Sequence, residues 1–227
     1  MIPAQIIRRV FRLQYAGKQG TAFAVDVDNR QYLVSAKHIL GAAEGSFSID
    51  LYHENGWKQL PVKLTGHSAD SDISIVAAET RLIPPDLNAE ASSEDMIYGQ
   101  TVYFLGFPYG LFGNFPTVNN GFPLPFVKAA TLSMIHGPSE KMLYLDGINN
   151  VGFSGGPVAF QAGNTRDWRI AGVISGYVAA EETISLKNAD TGLRYSANTG
   201  LIKAAPIDDA VSVITANPNG FEKESAG

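Results

Sequence analysis

One serine in the chain sits within a glycine-rich run, Asn150-Val-Gly-Phe-Ser-Gly-Gly-Pro-Val158. Glycines let the backbone turn tightly, so the Ser154 hydroxyl can project while main-chain N–H groups converge beside it. The N–H groups of Gly152 and Ser154 could then form an oxyanion hole for a tetrahedral acyl intermediate. The bland alternative is a glycine-rich hairpin with an idle serine. A serine hydroxyl is a weak nucleophile and needs a base, and the chain offers four histidines. His38 follows the run Tyr32-Leu-Val-Ser-Ala-Lys37, just past a buried strand where a base can be held rigidly. His53 reads as a solvated hairpin end, His67 as a solvated loop residue and His136 as a turn residue before Gly137-Pro138. The base in turn needs a carboxylate to fix its tautomer. Asp72 opens the apolar run Asp-Ile-Ser-Ile-Val76, whereas its nearest rival, Asp70, reads as a loop residue.

These groups are far apart in sequence, so rigid elements must bring them together. Period-two alternation recurs along the chain, as in Phe47, Ile49 and Leu51 against Ser46, Ser48 and Asp50. It predicts strands over residues 21–27, 31–35, 46–51, 57–64, 72–77, 101–106, 127–135, 141–145, 156–160, 169–178 and 200–205. Asn55-Gly56 supplies hairpin-turn chemistry between two of them. Residues 81–100, with Pro84-Pro85 and an acidic, serine-containing run, read as the connection between two β halves. Ile207, Ala210, Val211 and Ile214 fall on one face of a helix between Pro206 and Asn217-Pro218, and the tail beyond it reads as frayed. The expected architecture is all-β, a sandwich or barrel type rather than βαβ units.

Composition sets outer bounds. The 227 residues are 45% hydrophobic and only 17% charged, with 23 glycines and 12 prolines, a globular composition rich in turns. A formal charge of −5 without a basic cluster argues against a nucleic-acid surface. The absence of cysteine excludes disulfides, thiol catalysis and Cys-ligated zinc, and leans towards a reducing, cytoplasmic location. The first ten residues place charges after a short apolar stretch, the reverse of a secretory leader. No charge falls between Asp95 and Lys128, yet the five glycines and four prolines there argue against a membrane helix.

The runs Thr21-Ala-Phe-Ala-Val25, Leu33-Val-Ser-Ala-Lys-His38, Asp72-Ile-Ser-Ile-Val76, Leu105-Gly-Phe-Pro-Tyr-Gly110, Gly152-Phe-Ser-Gly-Gly-Pro157 and Ile170-Ala-Gly-Val-Ile-Ser175 occur in that order. Together they resemble the trypsin-like (chymotrypsin-fold) serine peptidases, and most of all the protease domain of the bacterial heat-shock serine proteases. The resemblance implies two six-stranded-type antiparallel β-barrels with a short C-terminal helix. The first barrel, residues 1–90, would carry the histidine and aspartate; the second, residues 91–227, would carry the serine. It implies a serine endopeptidase acting on polypeptides through an acyl-enzyme, with Ser154 as nucleophile, His38 as general base, Asp72 as orienting carboxylate, and Gly152 and Ser154 as oxyanion donors. The order His, Asp, Ser fits this arrangement, and neither a metal nor a cofactor is expected.

Two departures matter. The residue before the nucleophile is usually Asp or Asn and here is Phe153, which cannot pair with a cleaved N-terminus. Lys37 stands where alanine usually precedes the base. They keep open a catalytically silent module that binds peptide or a partner through the same cleft; an esterase using the same triad is a further alternative. The resemblance also places Ile148 at the base of the primary pocket, Ser175, Gly176 and Tyr177 on the strand that pairs with substrate backbone, and Ile202 at the pocket floor. With no carboxylate among them, apolar residues are expected before the cleaved bond. Finally, Phe107, Tyr109, Phe112, Phe115, Phe122 and Phe126 stud one glycine- and proline-rich loop. Either it folds back as a plug over the second β half, or it gates the cleft or docks a regulatory protein.

Overall fold

The computed structural model describes residues 2–41, 43–84, 87, 89–115, 117–137, 141–163 and 167–222. Pro85, Pro138 and the tail from residue 223, all named above, lie outside the described residues. A one-turn helix α1 (Ala4–Ile7) leads into β1 (Val10–Tyr15), β2 (Lys18–Val27) and β3 (Arg30–Ala36). A second short helix, α2 (Lys37–Leu40), precedes β4 (Ser46–His53), β5 (Gly56–His67) and β6 (Ile73–Ala78). These strands pair in the order β3-β2-β1-β4-β5-β6, and β6 returns to β3, so the ring closes.

The connection holds a two-residue strand, β7 (Glu90–Ala91). Then follow β8 (Thr101–Gly106), β9 (Phe126–His136), β10 (Met142–Asp146), β11 (Pro157–Gln161), β12 (Trp168–Leu186) and β13 (Ala189–Pro206). Their order is β11-β8-β9-β10-β13-β12, and β12 returns to β11, so the second ring closes as well. Closure leaves few unpaired edges. Helix α3 (Ile207–Ala216) begins after Pro206 with Asp208 and Asp209 in its first turn, where acidic side chains suit the helix dipole. Its Ile207, Ala210 and Ile214 are buried. A last short strand, β14 (Phe221–Glu222), adds to β3. No helix among the described residues is long and apolar enough to cross a membrane.

The all-β expectation and the C-terminal helix hold; several boundaries do not. Strand β1 was not expected, although Phe11, Leu13 and Tyr15 alternate with polar Arg12 and Gln14 along it. The turn after β4 is built by Glu54 and Asn55, at φ 49° and 61°, while Gly56 already pairs with His53 in the ladder. Asp28-Asn29 (φ 47° and 61°) and Lys187-Asn188 (φ 50° and 65°) make the same kind of two-residue turn, whose twist suits a hairpin. The Lys187-Asn188 turn lies well past the expected strand end at residue 178, because β12 and β13 continue as an exposed hairpin paired out to Leu186 and Ala189.

Each barrel has its own core. Phe11, Leu13, Leu33, Ile49 and Val76 fill the first. Phe104, Leu132, Leu145, Phe153 and Phe160 fill the second. A third apolar set joins the barrels: Phe23, Val34 and Ile73 from one side meet Leu105, Ala159 and Val173 from the other, with α3 packed on both. This shared wall fixes the cleft that holds the residues singled out above.

Candidate active site

Helix α2 starts where β3 ends, so His38 stands two residues past a rigid buried strand. Asp72 immediately precedes β6, the strand that pairs with β3. The shared register brings them together: Ala36 pairs with Ile73, and the Lys37 N–H donates to the Asp72 carbonyl at 3.1 Å. The His38 backbone N–H donates to Asp72 Oδ1 at 2.8 Å, and the ring Nδ1 lies 2.7 Å from Oδ2. The His38 side chain remains 48% exposed and that of Asp72 24%, so the ring faces the cleft while the carboxylate stands behind it. The Ser175 hydroxyl also donates to Asp72 Oδ2, at 2.8 Å.

Partial burial by itself pushes the Asp72 carboxyl up. The hydrogen bonds from the His38 ring, the Ser175 hydroxyl and the His38 backbone N–H, with the attraction of His38, outweigh it and hold the group below its ordinary value. An ionised Asp72 at 2.7 Å keeps the proton on Nδ1 and leaves Nε2 as a basic lone pair. The Lys37 ammonium does not approach this pair; it donates to the Ser68 carbonyl at 2.9 Å.

Ser154 comes from the turn before β11 and is seated against the first barrel. Its carbonyl accepts the Thr21 N–H at 2.9 Å. Gly20 fills the gap: a methyl there would stand 2.9 Å from the Ser154 oxygen and 2.2 Å from Ile39 Cδ1, next to His38. From the other side, Gly155 N–H donates to the Ile174 carbonyl at 2.8 Å, beside the Ser175 that holds Asp72. Ser154 is thus seated where the turn before β11 meets the first barrel, between Gly20 and Ile174. Among the described residues the hydrogen-bonded chain runs through His38, Asp72 and Ser175 and does not extend to the Ser154 hydroxyl. Such contacts are often loose without substrate and tighten when it binds.

The turn also accounts for its own N–H groups. Phe153 donates to Asn150, Gly155 to Ile174 and Gly156 to Phe153. Among the described residues, those of Gly152 and Ser154 donate to no protein group, and these are the two the sequence singled out. The Val151 carbonyl is tied to the Tyr109 N–H at 2.8 Å, so the trans peptide aims the Gly152 N–H the opposite way. Gly152 sits at φ 106°, and a methyl there would lie 2.2 Å from the Phe107 carbonyl oxygen, so glycine is required. Phe153 is fully buried, edge-on to Phe104 at 4.8 Å between ring centres. The loop is thus anchored by an aromatic ring in the second barrel rather than by a carboxylate.

The remaining residues separate. Ile148 is 57% exposed and is not core. Gly176 and Tyr177 lie on β12 with partial or full exposure, whereas Ser175 is spent on Asp72. Ile202 is fully buried among Leu143, Leu145 and Ala204. Sequence reasoning missed Lys128, whose Nζ reaches the Ile148 carbonyl and, at 3.2 Å, Asn150 Oδ1. Burial pulls its ammonium below the usual lysine range. The other histidines are corrected as well. His67 is bonded on both nitrogens, to Ser74 Oγ at 2.6 Å and the Ala43 carbonyl at 3.2 Å. His53 packs at a tilt against Phe122, 4.5 Å between ring centres, and His136 ends strand β9 rather than sitting in a turn. Asp70 is exposed, and no hydrogen bond or ion pair joins it to His38.

The aromatic loop does not plug the second barrel. Phe122 packs edge-on to Phe11 at 4.8 Å and Phe112 on Tyr52 at 5.1 Å, both in the first barrel. Phe107 is buried in the wall between the barrels. Tyr109, Phe115 and Phe126 stay exposed.

Against this geometry, the model of the trypsin-like peptidase domain matches residues 20–173. A comparison with curated protein sequences finds no match. Among solved structures, the HtrA-type protease AlgW with tripeptide superposes with a TM-score of 0.60 at 16% identity, over 94% of this chain and 61% of that one. Rv3671c from M. tuberculosis H37Rv, in an inactive form, gives 0.59 at 16% identity over 99% of this chain and 92% of that one. The chain thus spans about three fifths of the length of the HtrA-type protease it matches, and at such identities the likeness is one of fold.

Proposed function

The chain belongs to the trypsin-like peptidase family, and we propose that it is a serine endopeptidase in which Ser154, His38 and Asp72 act as one unit. The observation that carries the reading is the double grip of Asp72 on His38, through the ring and through the backbone. It leaves Nε2 as the only ring nitrogen free to take a proton. In this mechanism Ser154 Oγ attacks the peptide carbonyl carbon while its proton passes to His38 Nε2. The carbonyl oxygen becomes an oxyanion held by the Gly152 and Ser154 N–H groups. Collapse breaks the C–N bond, and the His38 proton leaves with the amine. Water, deprotonated by the same nitrogen, then releases the acyl group and restores Ser154.

Apolar side chains before the cleaved bond suit the exposed Ile148 and Tyr177 and the lack of a carboxylate beside them. The Lys128 ammonium under residues 148–150 adds a reason against Arg or Lys there, by like-charge repulsion. The exposed part of the aromatic loop, including Tyr109, Phe115 and Phe126, is the proposed docking face for a regulatory protein. With no cysteine to oxidise, a cytoplasmic location remains the proposal.

A fluorophosphonate probe tests the core of this reading. The expected result is covalent label on the wild type and none on Ser154→Ala or His38→Ala of equal thermal stability. A silent binding module is favoured by the hydrogen-bonded chain that stops short of the Ser154 hydroxyl. It is the reading to adopt if the folded wild type takes no label at any pH between 6 and 9.

A further inference from the structure

Arg12 projects from β1 beside the cleft, yet among the described residues it forms no ion pair. Its guanidinium is held by aromatic faces instead, 5.1 Å from the centre of Tyr52, 4.8 Å from Trp57 and 5.8 Å from Phe112. Such a cage fixes a cation without neutralising it. One Nη2 hydrogen bond goes to Gln19 Oε1 at 3.0 Å, and that amide carries no charge. Burial works against the charged form, but a guanidinium stays protonated, so a planar, partly desolvated cation waits without a counterion.

The cation lines a cavity of about 100 Å³ shared with Gln19, Gly20, Phe107, Tyr109 and Gly152. That volume corresponds to roughly three waters at about 30 Å³ each, the size of a short side chain. Gly152 supplies one proposed oxyanion donor, and Gly20 touches the Ser154 carbonyl. The cavity thus opens beside the reacting centre, on the wall built from the first barrel and the aromatic loop. The acyl half of a substrate would follow β12 at Gly176 and Tyr177, on the second barrel. The leaving half must exit on the opposite side, past Gly20 and into this cavity. Tyr109 maintains the wall in a left-handed conformation uncommon outside glycine, at φ 54° and ψ 21°, which places its N–H on the Val151 carbonyl.

We propose that Arg12 is a specificity residue for the leaving half of the substrate, selecting a carboxylate one or two positions after the cleaved bond. A carboxylate matches the guanidinium fork, which can donate two parallel hydrogen bonds to it. The stretch from residue 96 to 127, which supplies Phe107, Tyr109 and Gly110 to the cavity, has no charged side chain. The carboxylate could belong to an Asp or Glu side chain or to the end of a chain.

The proposal rests on the catalytic reading of Ser154 for its orientation, so its test separates the two. Labelled peptides with an apolar residue before a common scissile bond carry Glu, Gln or Lys at the first or second leaving position and end in an amide. A second set ends in a free carboxylate at the second leaving position. Binding is measured by fluorescence anisotropy on Ser154→Ala, alone and combined with Arg12→Gln or Arg12→Lys, after thermal melts confirm folding. On Ser154→Ala, Glu or a terminal carboxylate should bind about tenfold tighter than its neutral counterpart, as expected for a charge-assisted hydrogen bond. The ratio should fall to near one with Arg12→Gln and be partly kept with Arg12→Lys. Equal binding of Glu and Gln peptides to Ser154→Ala, or a preference that survives Arg12→Gln, overturns the proposal. Preference for the side chain alone assigns the site to internal acidic residues; preference for the free end alone assigns it to cleavage near chain termini. A catalytically silent wild type would retire the protease reading while leaving this binding ratio measurable.

Discussion

Phe153 offers the sharpest test of how the oxyanion turn is held. Its ring is fully buried against Phe104, and truncation of a buried aromatic to alanine costs about 3–5 kcal/mol. A domain of ordinary stability, about 5–15 kcal/mol, stays mostly folded after that loss. The local consequence should be larger than the global one. The ring is the side chain of the residue between the two proposed oxyanion donors, so its loss frees the Gly152–Ser154 peptides to turn. One displaced donor is worth about 2.7–4 kcal/mol in the transition state, or roughly 10²–10³ in kcat. Phe153→Ala should therefore lower kcat on an activated ester by that factor with little change in KM, measured at least 10 °C below its own melting temperature. Phe153→Leu, which keeps an apolar anchor, should stay within about tenfold of wild type. A folded Phe153→Ala protein with kcat within threefold of wild type would refute the claim that this ring sets the turn.

Two further outcomes follow from the carboxylates. Asp72→Asn should lower kcat by about 10⁴, because an amide cannot hold the Nδ1 tautomer. Since the folded pKa of Asp72 lies below its unfolded one, its stabilisation is full above the unfolded value and is lost as pH falls through the folded value. The gap in melting temperature between wild type and Asp72→Asn should thus narrow as pH is lowered from 6 towards 3, and a constant gap would contradict the assignment. Arg9 is fully buried, 3.7 Å from Asp26, with its guanidinium also donating to the Gln5 and Ala24 carbonyls. Arg9→Ala should cost about 2–5 kcal/mol by emptying a buried site and removing one of the two cations beside Asp26, which keeps Gln31 and Arg81, a fall of roughly 4–20 °C in melting temperature by calorimetry.

The β architecture was legible because alternation is a local property, as in β4, where Phe47, Ile49 and Leu51 alternate with Ser46, Ser48 and Asp50. His38 and Asp72 were legible for a related reason: each stands at the end of a buried apolar strand, and paired strands bring their ends together. Turns were less legible. Asn55-Gly56 announced the turn after β4 one residue late, and Lys187-Asn188 turns at positive φ without glycine, well past the strand end expected at residue 178. Burial of single residues was the weakest inference. Ile148 and Ile202 have the same side chain, yet one is exposed and the other sealed in the barrel. What decides between them is place in the closed barrel, Ile202 facing inward on β13 and Ile148 lying beyond the end of β10, a property of tertiary closure that no short window of sequence contains.

Arg12 shows the same limit in its functional form. Read along the chain it is one basic residue in Val10-Phe-Arg-Leu-Gln14, with no motif around it. Its surroundings are assembled from elsewhere: Tyr52 and Trp57 from the neighbouring β4–β5 hairpin, Phe112 from the aromatic loop, and Gly152 from the turn that carries Ser154. The loop that looked like a detachable cover is therefore part of a wall. Phe112 closes the cage on Arg12, Tyr109 fixes the peptide before Gly152, and Phe107 joins the two barrels. Removing the loop whole would disturb the cation, the oxyanion turn and the barrel seam at once. Only substitutions at its exposed side chains, such as Phe115, can separate docking of a partner from construction of the cleft.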